Sequence, residues 1–185
     1  SQARIDLVQS GTCTVRVRSF QARGTGPYEI HLALAPGAGE HGPIPNGGSV
    51  AQVIDGDGEI DSFTFQGTAG QGGLVSVSGA VGGGEYYYVF QPDGSLLAQD
   101  SGQERVVVQQ TGTHTMIVRS FQASGTGPYE VHVALTPGAN EHGTVPNGGS
   151  APEQIDGAGE IDSFTFEGTA GQSGLISVSG TVGGG

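Results

Sequence analysis

The sequence predicts an all-β protein, an antiparallel β-sandwich repeated in tandem with an offset of 101 residues, and three observations carry that prediction. Gly accounts for 36 of the 185 residues, too many for long helices, since each interior Gly costs a helix about 1 kcal/mol relative to Ala. β-Branched and aromatic residues alternate with polar ones in short runs bounded by Gly-rich turns, the pattern of half-buried strands. The chain also repeats itself: the SFQA segment at Ser19 returns at Ser120, GTGPYE at Gly24 returns at Gly125, PNGGS at Pro45 returns at Pro146 and GEIDSFTF at Gly58 returns at Gly159. Residues 1–84 align with 102–185 without a gap and with 58 identities in 84 positions. Such closeness marks a duplicated unit, and a unit of about one hundred residues is an autonomous domain, not one turn of a solenoid.

The elements follow in order. Strands are expected over Ile60–Phe65, Leu74–Ser78, Tyr86–Phe90, Ser95–Gln99, Arg105–Gln109, Thr113–Ser120 and Tyr129–Leu135, with no helix. In the first of these, parity sets Phe63 and Phe65 on one face with Asp61, and Ser62 and Thr64 on the other. Pro92-Asp93-Gly94 is a turn by its chemistry, Pro setting one φ and Gly accepting a positive one. Pro36–Ser49, recurring as Pro137–Ser150, is rich in Pro and Gly and reads as a linker. Cutting there divides the chain into residues 1–46, the back part of one domain with its linker; 47–146, a complete domain with its linker; and 147–185, the front part of the next.

Composition narrows the function classes. Six Arg and no Lys stand against 18 acidic residues, a net charge of -12. Nucleic acid is thereby excluded as an expected partner, because phosphate backbones are held by clustered cations. The single Cys13 has His114 as its counterpart, so no disulfide or cysteine zinc cluster is expected within the chain. No apolar run approaches the roughly 20 residues that span a bilayer. The chain opens Ser1-Gln2-Ala3, without Met or a signal peptide, and is read as processed or as a piece of something longer.

The ordered set GEIDSFTFQGTAGQ, LVSVSG, YYYVFQPDGSLL, TGTHTMIVRSF and GTGPYEVHVAL resembles the bacterial pre-peptidase C-terminal domain family. The likeness runs from about Ile54 to Leu135 and again through the two partial units. It implies a jelly-roll module, a secreted or cell-surface setting and a non-catalytic accessory role. Collagen-binding relatives further imply calcium near the N-terminal linker of the module.

The densest acidic run is Asp55-Gly56-Asp57-Gly58-Glu59-Ile60-Asp61. Carboxylates at every second position project to one side of an extended segment, and calcium takes six to eight oxygens of this kind. The copy keeps Asp156, Glu160 and Asp162 but has Ala158 in place of Asp57. Calcium is the candidate cofactor, at Asp55, Asp57, Glu59, Asp61, Asp156, Glu160 and Asp162, set against the reading of a solvated acidic turn leading into a strand. His31 and His132 lie two positions from Glu29 and Glu130 on one strand face, read as a polar outer face. Glu40-His41 and Glu141-His142 fall in the linkers, where no preorganised site is expected. Tyr86, Tyr87 and Tyr88 are the one aromatic cluster, and an exposed Tyr pair would stack on a sugar ring or grip a protein ligand. No nucleophile elbow, HExxH helix or Cys-His pairing occurs, and the chain is not expected to be an enzyme.

The expected function is a structural or adhesive repeat of an extracellular protein, forming a stalk or filament. Its partners would be neighbouring repeats or copies of itself, with polysaccharide or matrix protein as further ligands. A continuous tandem array is preferred to strand complementation of split domains, because residues 147–185 and 1–46 together lack the counterpart of 85–101. The alternative function is a collagen- or polysaccharide-binding accessory module of a secreted hydrolase.

Overall fold

The computed structural model describes residues 3–19, 23–157 and 159–181. Phe20-Gln21-Ala22 of the repeated SFQA segment, Ala158 of the second acidic run, and the outermost residues of the parts 1–46 and 147–185 lie outside the described residues.

Eight strands run between residues 48 and 136: β1 Gly48–Ile54, β2 Ile60–Gly67, β3 Gly72–Gly79, β4 Glu85–Phe90, β5 Leu96–Asp100, β6 Gln103–Val107, β7 Gly112–Ser120 and β8 Gly127–Thr136. They form two antiparallel four-stranded sheets, ordered β1-β8-β3-β6 and β2-β7-β4-β5, which is the strand order of a jelly-roll sandwich. The described residues contain no helix, and so none long and apolar enough to cross a membrane.

Alternation places the core. Phe63 and Phe65 of β2, Val75 and Val77 of β3, Tyr87 and Val89 of β4, Met116 and Val118 of β7, and Val131, Val133 and Leu135 of β8 all point between the sheets and are buried. Phe65 lies opposite His114 in the β2–β7 register, and their rings stack at 5.1 Å. His114 is the counterpart of Cys13, and burial lowers its imidazole below the ordinary value. The Pro92-Asp93-Gly94 turn joins β4 to β5, with Gly94 at φ 83°. Asp93 accepts from Ser95 Oγ at 2.6 Å, from Gln110 Nε2 at 2.6 Å and from Ser95 N at 2.9 Å, and these bonds hold its carboxyl down to about 2. Between β7 and β8 the chain passes so close to the β3–β4 loop that a Cβ on Gly125 would lie 1.4 Å from the Gly82 carbonyl oxygen. Only Gly fits there.

Two expectations change. An eighth strand, β1, begins at Gly48 inside the stretch read as linker and pairs along its length with β8. The linker itself is not loose. Residues 40–44 lie parallel to β2 along its outer edge: His41 N donates to Ser62 O at 3.0 Å, Thr64 N to Gly42 O at 3.1 Å and Ile44 N to Thr64 O at 2.7 Å. Ile44 enters the core at 2% exposure. Covering an edge strand in this way satisfies main-chain groups that would otherwise be open to pairing with another chain.

The same arrangement recurs one repeat later. His142 N donates to Ser163 O at 3.1 Å, Thr165 N to Gly143 O at 3.0 Å and Val145 N to Thr165 O at 2.8 Å. The flanking parts, in contrast, carry no strand among their described residues. Their apolar side chains lie open where the equivalent positions of the sandwich are buried: Tyr28 is 71% exposed and Tyr129 3%, Leu32 65% and Val133 1%, Phe166 66% and Phe65 1%, Val178 92% and Val77 3%.

Candidate functional site

Ionisable groups converge where the linker meets β2. β2 opens at Ile60 and pairs with β7, so Asp61 stands opposite Val118 and turns inward with Phe63. Its carboxylate is 1% exposed and has two partners. His41 Nε2, brought over by the linker, lies 3.2 Å from Oδ1, and the Tyr129 hydroxyl of β8 donates to Oδ2. Burial and the bond to Asp61 push the Tyr129 phenol well above its ordinary value. Phe63 closes the group, with ring centroids 5.3 Å from His41 and 6.3 Å, edge-on, from Tyr129. A buried carboxylate is tolerated only when paired and hydrogen-bonded in this manner.

The copy repeats the pairing without a completed sandwich around it. His142 Nε2 lies 3.1 Å from Asp162 Oδ1, and its ring 5.1 Å from Phe164. Burial pulls the His142 imidazole down, but the bond with Asp162 and the charges of Glu153, Asp162 and Glu141 outweigh it and raise it overall.

The four carboxylates of the first acidic run do not point one way, which corrects the expectation from spacing. The run is a turn between β1 and β2. Glu59 folds back so that Oε2 accepts from the main-chain N–H groups of Asp55 and Gly56, the latter at 2.9 Å. Asp55 and Asp57 face solvent, while Asp61 faces the core. Glu160 braces the second turn identically, accepting from the N–H groups of Asp156 and Gly157. Among the described residues, the groups whose donor atoms gather are instead Glu40, His41 and Asp61, and Glu141, His142 and Asp162. Two carboxylates and one imidazole fall short of the all-oxygen shell calcium takes. The recurrence of Glu-His-Gly in both linkers, while Gly39, Pro43 and Ile44 change to Asn140, Thr144 and Val145, is the sequence signal that this junction leaves.

β4 divides its three tyrosines. Tyr87 is fully buried, its hydroxyl 3.4 Å from the Val75 carbonyl oxygen, and burial with the Asp100 charge pushes its phenol up. It is thereby removed from the expected ligand-binding set. Tyr86 and Tyr88 face outward, 5.2 Å apart edge to face, with Phe121 5.6 Å from Tyr86. The Arg119 guanidinium lies 4.9 Å over Tyr86 and 5.6 Å from Tyr88, donating to the Tyr88 hydroxyl at 3.1 Å. His132, on the outer face of β8, is 5% exposed, with Nε2 3.8 Å from Glu130.

Fold and site together define a jelly-roll β-sandwich whose ionisable cluster ties a linker to the edge strand β2. Its strand arrangement is similar to that of the periplasmic g-type lysozyme inhibitor PliG of Aeromonas hydrophila, with a TM-score of 0.43, 18% identity, and 51% of this chain and 96% of that one covered. It is also similar to the pre-peptidase C-terminal domain of a Bacillus anthracis collagenase, at a TM-score of 0.44 and 16% identity over 52% of this chain and 96% of that one. PliG of Salmonella Typhimurium gives 0.39 and 19% over 51% and 97%. No family model and no curated protein matches the sequence.

Proposed function

We propose that the chain is a non-catalytic structural repeat of an extracellular stalk or filament, in which jelly-roll modules follow one another in a continuous tandem array. The supporting observation is the set of exposed apolar residues. Tyr28, Ile30, Leu32 and Leu34 hold the places of β8 core residues, and Phe164, Phe166, Ile176 and Val178 those of β2 and β3 core residues. Open apolar surface of this extent drives association. Residues 147–181 and 3–34 together lack the counterparts of β4 and β5 and do not make one sandwich between them, so the cover they need fits neighbouring repeats of the array. Antibody-labelled cells should carry beaded fibres in negative stain. Compact isolated particles in place of fibres would remove the proposal.

The ordered sequence segments support membership of the pre-peptidase C-terminal family as part of the same proposal. A second reading, a binding module for polysaccharide or matrix protein, is favoured by the outward Tyr86–Tyr88 pair with Phe121 beside it. Exposed aromatic faces of this kind grip rings and apolar side chains. Replacing both tyrosines by Ala should abolish retention on collagen or glycan surfaces, and equal retention would discard that reading.

Calcium is a separate proposal. The candidate ligands are Asp55, Asp57, Glu59 and Asp61 of the first acidic run and Asp156, Glu160 and Asp162 of the second, of which Asp61 and Asp162 belong to the groups whose donor atoms gather. A bound ion stabilises the folded state by mass action. Calcium should accordingly raise the melting temperature and chelator lower it; an unchanged melt rejects a structural ion.

A further inference from the structure

Glu40 and His41, adjacent in the linker, are both anchored to one residue of β2. Glu40 N donates to Ser62 Oγ at 3.1 Å and His41 N to Ser62 O at 3.0 Å. These bonds set both side chains beside Asp61, which precedes Ser62 on the strand. The donor atoms of Glu40, His41 and Asp61 then lie within 4.8 Å of one another. His41 Nε2 stands 3.2 Å from Asp61 Oδ1, yet it is sealed from solvent and makes no hydrogen bond. A buried ring nitrogen in that condition requires a reason. Tetrahedral zinc supplies one: with ligand bonds of about 2.0–2.2 Å, two of its donors sit roughly 3.3 Å apart. The other oxygen of Asp61 accepts from the Tyr129 hydroxyl, the kind of outer partner that orients a ligating carboxylate.

The set recurs one repeat later with the same anchors. Glu141 N donates to Ser163 Oγ at 2.9 Å and His142 N to Ser163 O at 3.1 Å. His142 Nε2 lies 3.1 Å from Asp162 Oδ1 and 3.7 Å from Glu141 Oε2. We propose that Glu40, His41 and Asp61 bind a divalent transition-metal ion of the zinc class, with Glu141, His142 and Asp162 as the equivalent set in the copy. An imidazole with two carboxylates suits such an ion, whereas calcium takes oxygens alone. Glu40 is exposed and completes the set by a change of rotamer, leaving a fourth position to solvent. The ion staples the linker to the edge strand β2, and it stabilises the module because the three donors converge only in the folded chain. The inference stands apart from the stalk reading and shares only Asp61 and Asp162 with the calcium proposal.

Calorimetric titration of the untagged, chelator-stripped chain with zinc chloride is the test. Zinc should bind saturably in the presence of excess calcium, and cobalt(II) in its place should show the visible absorption of a four-coordinate ion. His142→Ala leaves the first set intact and should bind one equivalent. Adding Glu40→Gln, an exposed substitution that keeps the fold, should weaken that remaining site by more than about tenfold, the scale for losing even an outer-shell partner. Adding His41→Ala instead should abolish it. No zinc uptake by the unmodified chain, displacement of zinc by calcium, or undiminished binding in the Glu40→Gln, His142→Ala variant overturns the proposal. A calcium-dependent rise in melting temperature without zinc uptake also overturns it, and leaves the calcium proposal standing.

Discussion

Asp61→Ala is expected to destabilise the sandwich by about 3 kcal/mol, the scale for removing one member of a buried polar pair. Asp61 is 1% exposed and serves two groups at once, His41 Nε2 and the Tyr129 hydroxyl. Its loss strands a buried phenol and an imidazole and unhooks the linker from β2. Domains of this size have only about 5–15 kcal/mol of stability. A loss of 3 kcal/mol corresponds to a fall in Tm on the order of 10–20 °C. Asp61→Asn keeps an acceptor for Tyr129 and should lose about half as much. Asp162→Ala removes the equivalent carboxylate where no complete sandwich surrounds it, and should leave the main urea transition within about 0.5 kcal/mol of the unmodified chain. Equal losses for Asp61→Ala and Asp162→Ala would refute a core role for Asp61.

Phe63→Ala is expected to cost about 4 kcal/mol, as for other fully buried aromatic residues. The ring has no exposure and contacts both His41 and Tyr129, so its removal leaves a cavity where the two sheets and the linker meet. Phe164 is the same residue in the same local sequence, yet it is 37% exposed. Phe164→Ala should change the main transition by less than about 1 kcal/mol. Urea unfolding of the pair, run at low concentration, checks the difference; indistinguishable midpoints would contradict the assignment of only Phe63 to a closed core.

Much of the fold was legible in the sequence because short strands in a sandwich declare themselves through parity. The alternation of Phe63 and Phe65 with Ser62 and Thr64 located a core face, and the Gly and Pro-Asp-Gly punctuation located turns. The weaker signals were those whose meaning depends on a distant partner. β1 was hidden because Gly-Ser-Val-Ala-Gln-Val-Ile buries only Ile54 completely and owes its extended form to β8, some eighty residues away. The linker residues Glu40–Ile44 look flexible by composition, but the open edge of β2 offers them main-chain partners and Asp61 offers His41 a charge. Parity already faced Asp61 inward; spacing alone then grouped it with carboxylates that point elsewhere.

By itself the sequence determined the class of fold, the offset of 101 residues and the acidic, Lys-free character of the chain, since these rest on local periodicity and composition. Only the tertiary structure decided which of two near-identical stretches is a closed core and which is open surface. Phe65 and Phe166, or Val77 and Val178, have almost the same neighbours in sequence and opposite exposures. The physical reason is that a strand buries its apolar face only when the other strands of both sheets are present to cover it, and that requirement is non-local.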